Sequence, residues 1–127
     1  KAMDITPLNP KGRQVIQTYG DGGVTIAGKK HKGSVAVLPE QTIPWNIDSF
    51  TAVTADTLAP AVEFVPRFGF LLLGSGVKQA TLDPLLVDSL RIKGITLEVM
   101  QTGAACRTFN VLLAEDRPAA AALIAVN

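Results

Sequence analysis

The residues most suited to chemistry are two hydroxyls, two glycines, a guanidinium and a carboxamide that follow two predicted strands. They are Ser75, Gly76, Thr102, Gly103, Arg107 and Asn110. A helix that begins near Thr102 would present free backbone amides and a partial positive charge at its first turn. Because ligands favour the carboxyl ends of parallel strands, the two loops that carry these residues should meet at one edge. The pattern predicts a cleft for a small anionic group.

The same residues also fit a purely structural interpretation. Thr102 could cap the helix without any ligand, and Arg107 and Asn110 could hold neighbouring backbone. The loop Gly74-Ser75-Gly76 lacks the third glycine and the immediate helix of a dinucleotide-binding loop, which favours a tight turn. Both interpretations remain open at the level of the sequence.

Nucleophilic and metal chemistry have little support. Cys106, the single cysteine, shares the apolar stripe of its predicted helix with Phe109 and Leu113, which favours a buried thiol over a thiolate nucleophile. The single histidine, His31, is distant from it in the sequence, and one cysteine with one histidine cannot supply a zinc site. We therefore expect no metal and no cofactor, and the lack of a recognisable catalytic set favours a protein without enzymatic activity.

One cationic cluster occupies residues 29–32. It could dock an acidic surface or a phosphate backbone, but a solvent-exposed turn at residues 28–32 is the simpler interpretation, because interleaved aromatics and a broad basic face are missing. The net charge of +1 gives no general attraction to nucleic acid, so we expect no nucleic-acid partner. Trp45, beside Pro44, suits either a core or an interface position.

Length and composition predict a single domain over residues 1–127. With 47% hydrophobic and 18% charged residues, the chain is too apolar for disorder. Its longest charge-free apolar stretches, residues 68–77 and 118–126, have about half of the ~20 residues that a membrane helix needs, so we expect no membrane span. A lone cysteine fits a reducing compartment, which favours a cytoplasmic location.

The first part of the chain has the pattern of antiparallel hairpins. Strands are predicted at residues 14–19, 24–27 and 34–38, with turns at residues 20–23 and 28–32. A short helix should begin after Thr54, whose hydroxyl can cap it, and Pro60 should limit its length. Together these signals predict an antiparallel meander.

The second part, residues 68–126, predicts a β-α-β-α-β unit. Its first helix has Asp83 as N-cap, Pro84 at the first helical position and Gly94 at the end. Residues 119–126 suit a strand or a continued helix, and Pro118 together with the alternation of elements favours the strand. Connections of this length imply parallel pairing through right-handed crossovers. The predicted class is therefore α/β, or mixed α+β, with the meander preceding this unit.

Five segments of the chain carry a family resemblance, above all Met-Gln-Thr-Gly-Ala-Ala-Cys-Arg-Thr-Phe-Asn-Val-Leu at residues 100–112, of which residues 102–112 are the most specific part. The others are Tyr-Gly-Asp-Gly-Gly at residues 19–23, Gly33-Ser34, Gly74-Ser75-Gly76 and Gly94-Ile95. Their order and spacing resemble a small domain-of-unknown-function family that contains mitochondrial respiratory complex I assembly factor 3 and the adipogenesis-associated domain protein. The resemblance extends from about residue 14 to residue 126. Ser75 departs from it where many relatives carry Thr, and Asp116-Arg117 where relatives often have Gly-Arg.

The resemblance implies a three-layer β/β/α fold, an uncharacterised bacterial member and no established enzyme activity. Its eukaryotic relatives are mitochondrial and bind proteins during assembly of a membrane complex. We therefore hypothesise a non-catalytic protein-interaction domain, an assembly or chaperone-like accessory of a respiratory membrane complex, with a protein partner. The alternative is a protein or enzyme that binds a small anion at the carboxyl edge of the parallel strands.

Overall fold

The computed structural model describes residues 2–5, 13–66 and 68–127. Its first sheet is an antiparallel meander in which four strands lie side by side in chain order. These strands are β1 (Met3–Asp4), β2 (Ile16–Gly20), β3 (Gly23–Ile26) and β4 (Lys29–Lys32). The predicted antiparallel meander is therefore confirmed.

Two-residue turns join β2 to β3 and β3 to β4. Backbone φ is 54° at Asp21 and 80° at Gly22, and 50° at Ala27 and 82° at Gly28. Two successive positive φ values are typical of type I′ turns, whose twist matches that of the flanking strands. The prediction of an exposed turn at residues 28–32 is wrong, because Ala27 and Gly28 complete the turn and the basic residues form a strand.

A second sheet of five strands carries an apolar cluster on each face, and the first sheet packs against one of these faces. Its strands, in order across the sheet, are β6 (Thr42–Pro44), β5 (Val35–Val37), β9 (Ala119–Leu123), β7 (Phe70–Gly74) and β8 (Thr96–Met100). β7, β8 and β9 are parallel, which confirms the β-α-β-α-β unit, whereas β5 is antiparallel to both of its neighbours. The strand predicted at residues 34–38 thus joins this central sheet and does not extend the first.

Three α-helices connect these strands: α1 (Ala55–Val62), α2 (Pro84–Ile92) and α3 (Thr102–Ala114). A short 3-10 helix, Phe50–Ala52, precedes α1. The Thr54 hydroxyl accepts a hydrogen bond from the Thr57 amide and caps α1 as predicted. The Asp83 carboxylate accepts from the Leu85 amide at 2.9 Å and caps α2.

The apolar core lies on both faces of the central sheet. On one face, Leu71 and Leu73 of β7 pack with residues of α1 and α2. On the other, Leu72 packs with Phe109 of α3 and Ile26 of the first sheet. The layers are therefore the first sheet with α3, the central sheet, and the pair α1 and α2. This arrangement confirms the β/β/α fold that the resemblance implies.

Strand β9 consists of four alanines and a leucine, all buried. Alanine favours helix in isolation, but β9 lies between β5 and β7 and is covered on both faces. Small side chains at these positions let α3 and α1 approach the sheet closely. Tertiary packing thus outweighs local propensity, and the predicted strand is confirmed.

Candidate functional site

The predicted loops meet at the carboxyl edge of β7 and β8, where Thr102 joins them. The Thr102 hydroxyl donates to the Ile124 carbonyl at 2.7 Å and accepts from the Gly76 amide at 2.9 Å. The Thr102 amide also donates to the Gly76 carbonyl at 2.9 Å. The prediction that Thr102 caps α3 is wrong: Gln101 is the N-cap, without a side-chain hydrogen bond, and the Thr102 hydroxyl has its partners outside the helix.

Ser75 lies in the interior of its loop. Its hydroxyl donates to the Lys78 carbonyl at 2.6 Å, and its amide donates to the Met100 carbonyl at 2.8 Å. An ideal Cβ on the preceding Gly74 would lie 3.0 Å from Thr102, which explains the need for glycine at this close approach. These contacts correspond to the tight-turn interpretation of this loop.

Asn110 bridges α3 and β2, away from the two loops. Its Oδ1 accepts from the Ile16 amide and its Nδ2 donates to the Ile16 carbonyl, both at 2.9 Å. Asn110 and Ile16 are both buried, so the carboxamide supplies the hydrogen bonds that the Ile16 backbone would otherwise make with water. The structure thus places Asn110 where it fixes the backbone of the first sheet to α3.

The other predicted residues, Gly76, Gly103 and Arg107, line one open cleft of about 180 Å³. Tyr19 of β2 forms its far wall. The Tyr19 ring packs on Gly103, where an ideal Cβ would lie 2.6 Å from the phenolic oxygen, and Arg107 Nη1 donates to that oxygen at 3.1 Å. The remaining lining residues are Val77, Gln101, Ala104 and Val126. Sequence reasoning did not place Tyr19 at this site: it begins the segment 19–23 of the family resemblance, but it belongs to a different sheet and the sequence alone does not bring it to α3.

The first turn of α3 gives this cleft its chemical character. The amides of Gly103 and Ala104 make no hydrogen bond with any described residue, as expected for the start of a helix. Arg107 adds a cation one turn further along. This geometry can hold a small anion by charge-assisted hydrogen bonds.

Replacing Thr102 with valine is expected to lower the free energy of unfolding by about 2 kcal/mol, because the Gly76 amide and the Ile124 carbonyl lose their partner. Thr102→Ser keeps the hydroxyl and should cost about 1 kcal/mol or less. Urea unfolding followed by circular dichroism measures both values. Equal destabilisation by the two variants would show that the hydroxyl does not hold the loops together.

Cys106 is fully buried on α3. Burial raises the pKa of its thiol from 9.0 to about 12, although the nearby Arg107 charge acts in the opposite direction. The folded thiol therefore stays protonated at neutral pH and is not available as a thiolate nucleophile.

Native Cys106 should react with Ellman's reagent at pH 8 at least ~100-fold more slowly than in denaturant, because modification requires opening of the core. Absorbance at 412 nm follows the reaction. Rapid modification of the folded protein would contradict the burial of this thiol.

The free energy of unfolding should also fall as the pH rises above 9.0, since the unfolded thiol then ionises while the folded thiol does not.

The remaining sequence candidates lie elsewhere. His31 is in β4, where burial, and then the charge of Lys29, lower its pKa. Trp45 is a core residue, 7% exposed, and its indole Nε1 donates to the Thr57 carbonyl at 2.8 Å. Within residues 2–5, 13–66 and 68–127, acidic, histidine and cysteine side chains form no group able to hold a metal ion. No α-helix in these ranges has the length and apolarity to cross a bilayer.

The chain is similar to known proteins over most of its length. A family model described as "Protein of unknown function (DUF498/DUF598)" matches residues 16–124. NADH dehydrogenase (ubiquinone) 1 alpha subcomplex assembly factor 3 from Xenopus tropicalis is 38% identical over 109 residues, which are 86% of this chain and 60% of that protein. The chain thus spans less than two thirds of that relative.

Two further relatives match this chain over nearly their full length. An uncharacterized protein from Rhodobacter capsulatus is 37% identical over 123 residues, covering 94% of this chain and 93% of that protein. The crystal structure of a protein described as an outer membrane protein from Bartonella henselae has a TM-score of 0.82 at 39% identity. The superposition covers 91% of this chain and 98% of the Bartonella henselae chain.

Proposed function

Since the chain belongs to the DUF498/DUF598 family of proteins of unknown function, we propose that it is a non-catalytic protein-binding domain that assists assembly of a respiratory NADH dehydrogenase. The observation that carries this proposal is the 38% identity with the Xenopus tropicalis protein, which is named as an assembly factor of that enzyme. The matched region covers 86% of this chain, so most of the fold described above is shared.

Apolar residues on the outer surface of α2 support a protein partner. Leu85 and Ile92 are 76% and 85% exposed. They are seven residues apart, which places them on the same face of the helix. Beside them, a cavity of about 360 Å³ separates α2 from α1 and is lined in part by Val62, Leu86 and Leu90. Such a surface suits contact with another protein.

The proposal includes one domain and a cytoplasmic location. Both core clusters pack on the same central sheet, which supports a single domain. The one cysteine, buried and reduced, is compatible with a reducing compartment.

Affinity capture with chemical crosslinking tests the proposal. The full chain, tagged and expressed in Rhodobacter capsulatus, should crosslink to subunits of NADH dehydrogenase while that enzyme is being assembled. An unrelated tagged protein of similar size and charge serves as the control. Enrichment of no NADH dehydrogenase subunit over that control would contradict the proposed role.

A second candidate function is the binding of a small anion in the cleft beside Tyr19. The free amides of Gly103 and Ala104, together with the Arg107 guanidinium, favour it. Titration with phosphate should shift the amide resonances of Gly103 and Ala104, and Arg107→Gln should weaken the response. Weak anion sites have dissociation constants on the order of 10 mM or lower, so unchanged spectra at 10 mM phosphate would exclude this function.

A further inference from the structure

Strand β4 forms an open edge of the first sheet. On one side it pairs with β3, and among the described strands none pairs with its other side. Lys29 closes the two-residue turn, and the Gly33 amide donates to the Gly22 carbonyl at 2.7 Å. Because antiparallel bonding alternates along a strand, the backbone N–H and C=O groups of Lys30 and Lys32 point away from β3.

The open edge is strongly basic. Lys29, Lys30 and Lys32 are all exposed, and none forms an ion pair with an acid in the described part of the chain. Asp21 lies in the turn between β2 and β3. The charged side chains of Lys29, Lys30 and Lys32 therefore lie close to the outward N–H and C=O groups of Lys30 and Lys32.

A groove continues from the end of this edge. It has a volume of about 640 Å³ and is lined by Lys32, Gly33 and Ser34 on one side. Residues 44–48, including Trp45, line the other side. A chain that follows β4 would enter this groove at Lys32, and the single acid of the groove, Asp48, would disfavour further negative charge there.

We propose that β4 docks an extended acidic segment of a protein partner by strand addition. The partner backbone pairs with Lys30 and Lys32, its carboxylates lie beside the lysines, and an uncharged side chain enters the groove. This inference rests on the proposed protein-binding function and specifies the chemistry of its partner. Strand addition draws affinity from backbone hydrogen bonds and selectivity from the side chains.

Charge decides which occupant fits. A second copy of this chain pairing β4 with β4 would bring two sets of lysines together, and like charges across a strand pair are unfavourable. Lysines on an open edge also discourage pairing with neutral strands. An acidic segment removes both penalties, so the same residues that prevent self-association select this partner.

The probe is a seven-residue peptide of alternating glutamate and valine with capped ends, titrated into the full chain labelled with ¹⁵N. We expect the largest amide shifts at Lys30 and Lys32 and weaker binding as salt increases, because exposed charges are screened. A peptide with lysine in place of glutamate is the control and should not bind. Shifts centred on one of the other edge strands, β1, β6 or β8, or no shifts at all, would overturn the proposal.

Variants at Lys30 separate charge from backbone pairing. Lys30→Gln removes only the charge and should weaken binding by about 3-fold. Lys30→Pro also removes the outward N–H and should weaken it by roughly a further 5-fold, while the bonds to β3 remain. Lys93→Gln, beyond the end of α2, is the matched control and should bind normally. Equal affinity of all three variants would contradict docking at β4.

A peptide-based test does not depend on the folding of Lys30→Pro. Two peptides are compared, one N-methylated at its odd residues and one at its even residues. Each lacks the N–H groups needed for strand pairing in one of the two registers, so one of the two should lose at least ~5-fold in affinity. A single-stranded oligonucleotide that shifts the same amides more strongly than the acidic peptide would overturn the choice of partner. If Lys30→Pro lost the peptide but still crosslinked to NADH dehydrogenase subunits, the β4 docking role would fail while the assembly function stood.

Discussion

Replacing Asn110 with leucine is expected to lower the free energy of unfolding by about 4 kcal/mol. The carboxamide satisfies both the amide and the carbonyl of Ile16, and all of these atoms are buried. Leucine has similar size but no polar group, so two backbone groups lose their partners inside the core, at about 1–3 kcal/mol each. Chemical denaturation monitored by Trp45 fluorescence gives the value.

Val111 provides the matched control for Asn110. It follows Asn110 on α3 and is 55% exposed, so Val111→Ala should change stability by less than about 0.5 kcal/mol. A loss of less than about 1 kcal/mol in Asn110→Leu would show that the first sheet is not fixed to α3 in this way.

Replacing Gly23 with alanine is expected to cost about 3 kcal/mol, the second largest effect. An ideal Cβ at this position would overlap the backbone carbonyl oxygen of His31 in the neighbouring strand. A backbone atom cannot rotate away as a side chain can, so β3 and β4 must separate. Thermal and urea unfolding should both show the loss, together with weaker protection of the β4 amides against hydrogen exchange.

The variant Gly28→Ala distinguishes this steric effect from the effect of backbone conformation. Its φ is +82° and no atom lies within 4 Å of an added Cβ, so Gly28→Ala should cost only about 1 kcal/mol of conformational strain. If Gly23→Ala were no more destabilising than Gly28→Ala, the close approach of β3 and β4 would be refuted.

The sequence predicts well those elements that local signals begin and end. Asp83 and Pro84 mark the start of α2, and Gly94, with φ of +83°, marks its end. Residues of this kind act through neighbouring backbone, so no knowledge of the tertiary structure is required. The parallel order of β7, β8 and β9 then follows from the alternation of strands and helices.

Strand β4 shows where local signals fail. Four successive basic residues resemble an exposed turn, but the positive φ values at Ala27 and Gly28 already reverse the chain. Alanine at a left-handed position is uncommon, so the sequence gives little warning of so short a turn. An edge strand exposes its side chains much as a turn does, and composition alone cannot distinguish the two.

The candidate site depends on contacts that the sequence cannot reveal. The start of α3 is predicted to within one residue, but the Thr102 hydroxyl bonds to Ile124, and Arg107 bonds to Tyr19 of another sheet. Asn110 lies on α3, the helix predicted to begin near Thr102, yet its partner Ile16 lies 94 residues away in sequence. Whether the cleft of Gly76, Gly103 and Arg107 binds a ligand stays a prediction.

Deletion and rescue in Rhodobacter capsulatus tests the assembly function most directly. Loss of the relative that is 37% identical to this chain should reduce the amount of assembled NADH dehydrogenase in the membranes, measured by native gel electrophoresis and NADH oxidation. Expression of this chain should restore both. Normal NADH dehydrogenase in the deletion strain, or no recovery when the folded chain is present, would contradict the assembly function.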